Sequence, residues 1–319
     1  KHYTIPQYVV DTLKAMPKDS HPMAMLGAGL LAMERESEYR AAYDKGTGKD
    51  KLWQSMLNDA VRLIASMPGL AAAIYRIRFG KGDVLAPLTG DNDLSNNFAH
   101  MLGVSNDPTW KELVRLYLVL HSDHEGGNVS AMTSYVVSSA LSDPYYSVSA
   151  AMAGLAGPLH GLANQECLRF IIDVKEKFGG VPSADQIKDF AWERLNNGQV
   201  IPGYGHAVLR VTDPRFTAFH EFAQKHTIKD DNVQIVQTIF NVVPDVLLAH
   251  GKAKNPWPNV DAYSGSLLYA YGMTEFDFYT VMFGVSRAIG LCAQMVVNRM
   301  MASPIVRPKS LTLDELAGA

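Results

Sequence analysis

The sequence predicts an all-α protein. Helical periodicity prevails along its 319 residues, and alternating patterns joined by hairpin turns, which would indicate strands, are scarce. At 186–195 the apolar residues share one face of a helix with 3.6 residues per turn. Ser183 and Gln186 form a capping-box pattern at its start, and Gly198 is suited to its end. A chain of this length can form two lobes or one large helical body.

Four further segments support this fold class. Residues 162–178 are amphipathic and are followed by two glycines, a common helix end. Residues 113–120 are apolar nearly all round, as in a fully buried helix. Residues 130–141 and 147–157 are rich in Ala, Ser and Gly, which allows helices to pack closely.

Composition excludes some classes of partner. A hydrophobic content of 47% with 19% charged residues is too apolar for disorder. The net charge of -3 gives no reason to expect nucleic acid or an anionic membrane as a partner. The longest apolar stretch, 279–302, contains Arg287 and is interpreted as a buried helix, not a membrane span. Any anionic ligand must therefore be met by a local cluster of basic residues.

Three long loops rich in Gly and Pro separate the helices, at 83–97, 197–215 and 251–265. Structureless stretches of this length are unusual in a compact helical protein unless they build a site. Two of them carry an ionisable residue on a stiff turn, and a shorter Gly/Pro turn at 157–161 carries a third. Two imidazoles and a carboxylate in such places are suited to proton transfer.

His160 comes immediately before a helix expected to begin near Gly161. The positive end of the helix dipole disfavours an imidazolium there. A neutral His160 could donate a hydrogen bond to a carbonyl oxygen that gains negative charge. The alternative is a histidine that only caps the helix.

His206 follows a turn in which Gly203 and Gly205 allow close backbone approach to a ligand. Arg210 and Arg215 come within the next ten residues, and arginine is suited to binding a carboxylate or phosphate with two hydrogen bonds. The alternative is a solvated basic loop.

Asp261 ends the run Asn-Pro-Trp-Pro-Asn-Val-Asp, and Lys252 and Lys254 lie just upstream. A partly desolvated carboxylate here could serve as a general base. It could equally cap a helix over 262–271, or do both.

The run 121–125, His-Ser-Asp-His-Glu, superficially suggests a metal site. It lacks a third ligand at helical spacing, so no metal is expected. An interpretation in which His124 orients a carboxylate ligand is favoured. Arg287 lies in a very apolar helix, where an unpaired cation would be costly, so it should face a buried anion or ligand.

Six long motifs resemble the citrate synthase family of the eukaryotic mitochondrial type. The resemblance runs from about His21 to Ser310 and is densest after Leu116. The motifs occur in the family's order at 121–131, 154–166, 202–210, 252–261, 283–287 and 307–310.

The resemblance implies an all-helical homodimer in which a large and a small domain close over the ligand. Residues 1–160 and 273–319 would form the large domain, and 161–272 the inserted small domain. Roughly the first hundred residues of the family are expected to be missing from this chain. The family also implies the mitochondrial matrix, acetyl-CoA as co-substrate, and no tightly bound cofactor.

The resemblance further implies that Asp261 removes a proton from the methyl group of acetyl-CoA. His160 would stabilise the enol or enolate, and His206 would protonate the ketone of oxaloacetate before citryl-CoA is hydrolysed. Oxaloacetate would be bound by His124, His206, Arg215, Arg287 and, from the partner subunit, Arg307. Residues near CoA would be Val200, Gly203, Tyr204, Arg210, Lys252, Lys254 and Asn259.

Two other functions are compatible with the sequence. A 2-methylcitrate synthase would use propionyl-CoA with the same machinery, and one methylene discriminates by only about 1–3 kcal/mol. A non-catalytic structural homologue would keep the fold. Loss of catalysis typically replaces at least one of His160, His206 and Asp261, and all three are present.

Overall fold

The computed structural model describes residues 4–123, 126–205 and 209–317. Over these ranges the secondary structure consists of helices and loops, with one isolated antiparallel bridge between Tyr204 and Pro258. The all-α prediction is confirmed.

A first group of helices forms the larger body. Its last helix, Tyr279–Met300, packs against five of the other members. The group consists of α1 (Gln7–Ala15), α2 (Pro22–Met33), α3 (Glu38–Asp44), α4 (Leu52–Arg78), α5 (Leu94–Leu102), α6 (Pro108–His121), α7 (Val129–Ser139), α8 (Pro144–Leu155) and α14 (Tyr279–Met300).

A second group lies between α8 and α14 in the sequence and packs mainly on itself. Its contacts with the larger body include contacts with α14 and α6. It consists of α9 (Ala163–Phe178), α10 (Ala184–Asn196), α11 (Pro214–Lys225), α12 (Asp231–His250) and α13 (Asp261–Ala270), while the short α15 (Leu313–Ala317) ends the described chain.

Within the described ranges, α4, α12 and α14 are long and apolar enough to span a membrane by length and composition alone. In α14 the apolar residues are largely buried among the neighbouring helices, as the interpretation of 279–302 required. Its two arginines, Arg287 and Arg299, are buried as well.

Local signals predicted the start of α10 and the end of α9 correctly. α10 begins with both hydrogen bonds of the capping box between Ser183 and Gln186. α9 ends at Gly179, whose φ of 70° lies in the left-handed region that glycine favours. Close packing of α7 and α8 is also confirmed, because a Cβ on Gly154 would lie only 3.1 Å from Val129 Cγ1.

The prediction of a fully buried helix over 113–120 is wrong at Val119, which is 64% exposed. α5, α11 and α14 cover only part of the circumference of α6. An apolar run alone does not reveal how many neighbours a helix has.

Candidate active site

The turn that carries His160 is fixed by its neighbour, Gly161. A Cβ on Gly161 would lie 2.2 Å from the carbonyl oxygen of Leu155 and 2.7 Å from Thr280 Cγ2. The Gly161 N–H donates to Leu155 O over 3.0 Å, and Thr280 Oγ1 donates to Gly161 O over 3.1 Å. The turn is therefore held against α14, and only glycine fits there.

The side chain of His160 is bound to α7. Its Nε2 lies 2.8 Å from Ser130 Oγ, which in turn lies 2.8 Å from Asn128 Oδ1. The helix that follows begins at Ala163, two residues later than expected, and its N-cap residue is Leu162. The alternative that His160 only caps this helix is therefore wrong.

Phe283, on α14, is the point where several predicted residues meet. Its ring centroid lies 6.2 Å from that of His160 and 5.3 Å from that of His121, with both pairs close to edge-on. The guanidinium carbon of Arg287 lies 4.7 Å from the same centroid. Nε of Arg287 also donates to His121 O over 3.1 Å. The structure therefore brings His160 and Arg287 together on one aromatic side chain.

His121 is a buried residue that contacts Phe283 and Arg287 of this cluster. Its ring stacks on Tyr117 at 4.1 Å, and Nδ1 lies 3.0 Å from Tyr117 O. Burial lowers the pKa of His121 to about 3, with Arg215 and Arg287 acting in the same direction. The imidazole is therefore neutral near pH 7. Within the described ranges, no group of three or more His, Cys, Asp or Glu could hold a metal ion.

Asp213 is a site residue that the sequence analysis missed. It is buried, and its carboxylate accepts bonds from Arg215 Nε and Nη2 at 3.0 and 2.7 Å. It also accepts from the backbone N–H of Arg215 and of Val260. Burial would raise the pKa of Asp213, but these bonds and the charge of Arg215 outweigh burial and lower it. Its Asp-Pro-Arg context is typical of a helix N-cap, and Asp213 does cap α11.

Asp261 is the first residue of α13, directly after the Val260 that Asp213 binds. Burial raises the pKa of Asp261 to about 6; Arg215 opposes the shift and Asp213 adds to it. Asp261 and Arg287 also both act electrostatically on the buried Tyr117. The carboxylate thus lies in the same region as the Phe283 cluster, with a pKa suited to a general base.

The loops at 201–205 and 258–260 meet beside α13. Tyr204 and Pro258 form the isolated bridge, and the N–H of Asn259 donates to Gly203 O over 2.9 Å. Gly203 has φ of 82°, and a Cβ there would lie 2.7 Å from that of Ala262. The close approach expected of Gly203 is therefore to α13.

A cavity of about 560 Å³ opens between α10, α12 and the loop after α10. Val200, Tyr204, Lys252 and Lys254 line it, as do apolar side chains of both helices. His250, the last residue of α12, also lines it and was missed. Because His250 lies two residues before the predicted Lys252, the sequence could have indicated it as a cavity residue. Apolar walls with several cationic groups suit a ligand that is part hydrocarbon and part phosphate.

Four predicted residues belong to none of the groups described so far: the Phe283 cluster, the contacts of Asp213, the loops beside α13 and the cavity. His124 and His206 lie outside the described residues. Arg210 is exposed, and its Nη1 donates to Leu209 O over 2.7 Å. Arg307 is exposed in an extended segment whose neighbouring Val306 N–H donates to Ser139 Oγ over 2.9 Å.

Comparison with known proteins gives a consistent result. Residues 1–309 match the family model described as the C-terminal domain of citrate synthase. The mitochondrial citrate synthase of Xiphias gladius is 51% identical over 316 residues, which cover 99% of this chain and 67% of that protein. That of Daucus carota is 51% identical over 313 residues, covering 98% and 66%. The chain thus spans about two thirds of the length of these relatives.

Solved structures of the same kind share the fold. The citrate synthase of Pyrobaculum aerophilum superposes with a TM-score of 0.83 at 29% identity, covering 98% of this chain and 75% of that one. The citrate synthase of Thermoplasma acidophilum, solved as a ternary complex with carboxymethyl coenzyme A and oxaloacetate, gives 0.80 at 22% identity, covering 98% and 78%.

Proposed function

Because this chain belongs to the citrate synthase family, we propose that the cleft around Phe283 condenses acetyl-CoA with oxaloacetate and hydrolyses citryl-CoA to citrate and CoA. The enzyme class is that of an acyltransferase. The observation that carries the proposal is the meeting of His160 and Arg287 on Phe283, beside an Asp261 whose pKa is raised to about 6.

In this proposal Asp261 is the general base. Its carboxylate takes a proton from the methyl group of acetyl-CoA, and the electron pair of that C–H bond forms the enol or enolate. A carboxylate with an ordinary pKa would be a weaker base, so the desolvation of Asp261 raises its proton affinity towards the working pH.

His160 stabilises the enolate by donating a hydrogen bond to its oxygen. When the hydroxyl of Ser130 donates to Nε2, the proton of a neutral imidazole resides on Nδ1 and is available for the thioester oxygen. Asn128 Oδ1 competes for the same hydroxyl hydrogen, so Asn128 and Ser130 together set the tautomer of His160. Once the hydroxyl of Ser130 has turned to Nε2, the Nδ1–H is a donor that is in place before the enolate forms.

The enol carbon then attacks the ketone carbon of oxaloacetate. His206 protonates the ketone oxygen as the carbon–carbon bond forms, and water cleaves the thioester of citryl-CoA. His206 lies outside the described residues, so this role rests on its motif, Pro-Gly-Tyr-Gly-His-Ala, and on the family.

Oxaloacetate requires cationic donors from more than one direction, since it carries two carboxylates. Arg287 on α14 and Arg215 on α11 supply such donors from the two groups of helices. Asp213 holds the Arg215 guanidinium at a fixed place. His124, His206 and the partner's Arg307 complete the proposed set.

CoA would occupy the cavity of about 560 Å³. Lys252, Lys254 and His250 suit its phosphates, and Val200 and Tyr204 its less polar part. Gly203 and Asn259 form the backbone link between this cavity and α13. Arg210 is proposed at its margin. CoA acts here as a co-substrate, with no tightly bound cofactor.

The packing of the helices supports a division into two domains. α9–α13 pack mainly on one another, which agrees with a small domain over 161–272 inserted between 1–160 and 273–319. The proposed site lies where the two meet. Closure of the domains would keep water from the thioester until condensation is complete.

A homodimer is supported by exposed apolar side chains on adjacent helices of the larger body. Val129, Met132 and Val136 on α7 are 56%, 46% and 39% exposed, with Tyr146 on α8 and Leu31 on α2 in the same range. Contiguous apolar surface of this kind marks an interaction site. Arg307 emerges from the end of this body and is proposed to enter the partner's site.

The relatives from Xiphias gladius and Daucus carota are named as mitochondrial enzymes. We place this protein in the mitochondrial matrix.

The direct test is oxaloacetate-dependent release of CoA from acetyl-CoA by the purified protein. Wild type should release CoA, and Asp261→Ala should lower kcat by about 10²- to 10⁴-fold. Asp189→Ala, which removes an exposed carboxylate from α10, is the matched control. Near wild-type activity of Asp261→Ala would disprove the assignment of the base. A higher kcat/KM with propionyl-CoA than with acetyl-CoA would reverse the proposed substrate.

A further inference from the structure

The two groups of helices touch along α6 and α11, which run antiparallel at their boundary. At one end of α6, Thr109 Oγ1 lies 2.6 Å from the hydroxyl of Tyr271, which follows α13. Towards the other end, the rings of Tyr117 and His121 lie 6.2 and 6.0 Å from Phe219 on α11. We call this contact line the seam. It leads from the boundary at Gly272 to the proposed active site.

A polar cluster lies part-way along the seam. Glu112 Oε2 on α6 is 3.7 Å from Lys225 Nζ and 3.4 Å from His226 Nε2, both at the end of α11. The other groups facing His226 are the ring of Phe222, at 4.4 Å, and Asp107 at the start of α6, which acts on it electrostatically.

These contacts are incomplete in the arrangement described. Charge-assisted hydrogen bonds are typically 2.7–2.9 Å long, so both distances exceed a formed bond. His226 Nε2 is buried and has no hydrogen-bond partner among the described residues. A buried polar atom without a partner is costly. A shift of α11 by less than one ångström towards α6 would satisfy it and shorten both contacts.

α11 also begins at the part of the small domain that is proposed to bind the substrate. α11 starts at Pro214, beside Arg215 and Asp213, and Asp213 is bonded to Val260 ahead of Asp261. A shift of α11 towards α6 is therefore transmitted to both Arg215, the proposed oxaloacetate ligand, and Asp261, the proposed general base.

We propose that Glu112, Lys225 and His226 form a latch that tightens when the two domains close and sets how readily oxaloacetate closes them. The latch rests on the proposed function, because it regulates access to that same site. It acts by positioning and touches neither substrate.

The test measures closure directly and independently of catalysis. Spin labels on Gln54→Cys in α4 and Glu176→Cys in α9, both exposed, report the distance between the domains by electron spin resonance; the native Cys167 and Cys292 are buried. Oxaloacetate should shift this distance to a single, closed value. In Glu112→Gln the concentration for half-closure should rise about two- to five-fold, a size typical of partly exposed ion pairs.

Charge reversal sharpens the test. Glu112→Lys should raise the half-closure concentration more than Glu112→Gln does, because it faces Lys225 with a like charge and offers His226 no acceptor. Adding Lys225→Glu to Glu112→Lys should restore part of the loss. Glu221→Gln, an exposed neutralisation elsewhere on α11, is the control and should change nothing.

Steady-state kinetics should follow the same pattern, with a raised KM for oxaloacetate in Glu112→Gln and kcat changed less than two-fold. An unchanged half-closure concentration in both Glu112 variants would overturn the latch. A wild type that closes with oxaloacetate but releases no CoA would instead overturn the proposed function and leave the latch standing.

Discussion

The carboxylate of Asp213 accepts a hydrogen bond from the backbone N–H of Val260 over 3.1 Å, across 47 residues of sequence. The same carboxylate holds the guanidinium of Arg215. One buried side chain thus fixes Arg215, the proposed oxaloacetate ligand, and the residue that precedes Asp261, the proposed general base. We expect both binding and proton abstraction to depend on Asp213.

Asp213→Asn tests that dependence. Asparagine can still cap α11. Its NH2 group, however, would replace one carboxylate oxygen and would then face the N–H donors of Arg215 or Val260 without being able to accept from them. We expect the free energy of unfolding to fall by about 1.5–3 kcal/mol. The KM for oxaloacetate should rise and kcat should fall, whereas a purely structural role would leave both kinetic constants unchanged. Asp230→Asn, at the N-cap of α12, is the matched control.

The pH dependence of kcat/KM reports the ionisation of Asp261. Its pKa is raised to about 6, so the folded protein holds this proton more tightly than a free aspartate does. The base form therefore appears as pH rises through about 6, and one pH unit below that only about a tenth is ionised. The acid limb of kcat/KM should have its midpoint near pH 6. A midpoint near 4 would mean that the carboxylate is solvated in the working enzyme.

Ser130→Ala tests the control of the His160 tautomer. Without the hydroxyl at 2.8 Å, Nε2 loses the partner that sets which nitrogen carries the proton. We expect kcat to fall about ten-fold or more, with the KM for oxaloacetate nearly unchanged. Ser134→Ala is the control, since its hydroxyl on the same helix bonds only to Ala131 O. Equal kcat in the two variants would remove Ser130 from the mechanism.

Arg287→Leu should chiefly weaken oxaloacetate binding. Loss of a charged hydrogen-bond donor costs about 1.5–3 kcal/mol, or roughly a 10- to 100-fold increase in KM. Arg299→Leu removes the other buried arginine of α14. The Nη2 of Arg299 donates to the carbonyl oxygen of Ser138, a residue far from Phe283 in the sequence. Both variants should lose stability, but only Arg287→Leu should raise KM. An unchanged KM in Arg287→Leu would exclude the role in binding.

Gly203→Ala should displace the loop from α13. The added methyl would lie 2.7 Å from Ala262 Cβ and 3.2 Å from Cys167 Sγ, at a φ of 82°. Gly251→Ala shares the positive φ, 77°, but meets nothing within 4 Å. Both should lose about 1–3 kcal/mol from backbone strain. Only Gly203→Ala should also lower kcat, because α13 begins with Asp261. Equal kcat would show that the loop does not position the base.

Local patterns predicted the helices well, because caps and amphipathic spacing act within a few residues. The capping box of Ser183 and the left-handed end at Gly179 are of this kind. The residues His160, Arg287 and Asp261 could be named because glycine- and proline-rich turns, and an arginine in the middle of an apolar helix, are unusual in sequence. The meeting of His160 and Arg287 at Phe283 is non-local, and only the motifs shared with the family anticipated that the loops converge.

Other features could not be predicted because they depend on packing between distant segments. Asp213 has the sequence context of an ordinary N-cap, and its bond to Val260 is invisible in that context. The packing of Gly203 against Ala262 of α13 is another such contact, because nothing in the sequence around Gly203 indicates it. The exposure of Val119 depends on which helices cover α6.

The central claim is that His160, His206 and Asp261 surround one reacting centre. A crystal structure with oxaloacetate and a non-reactive analogue of acetyl-CoA tests it most directly. We expect His160 within about 2.6–3.2 Å of the acyl oxygen. Asp261 should lie at the same distance from the carboxylate or amide that replaces the methyl group, and His206 at the same distance from the ketone oxygen. A closed, ligand-bound structure in which the Asp261 carboxylate points away from the acyl group would contradict the account.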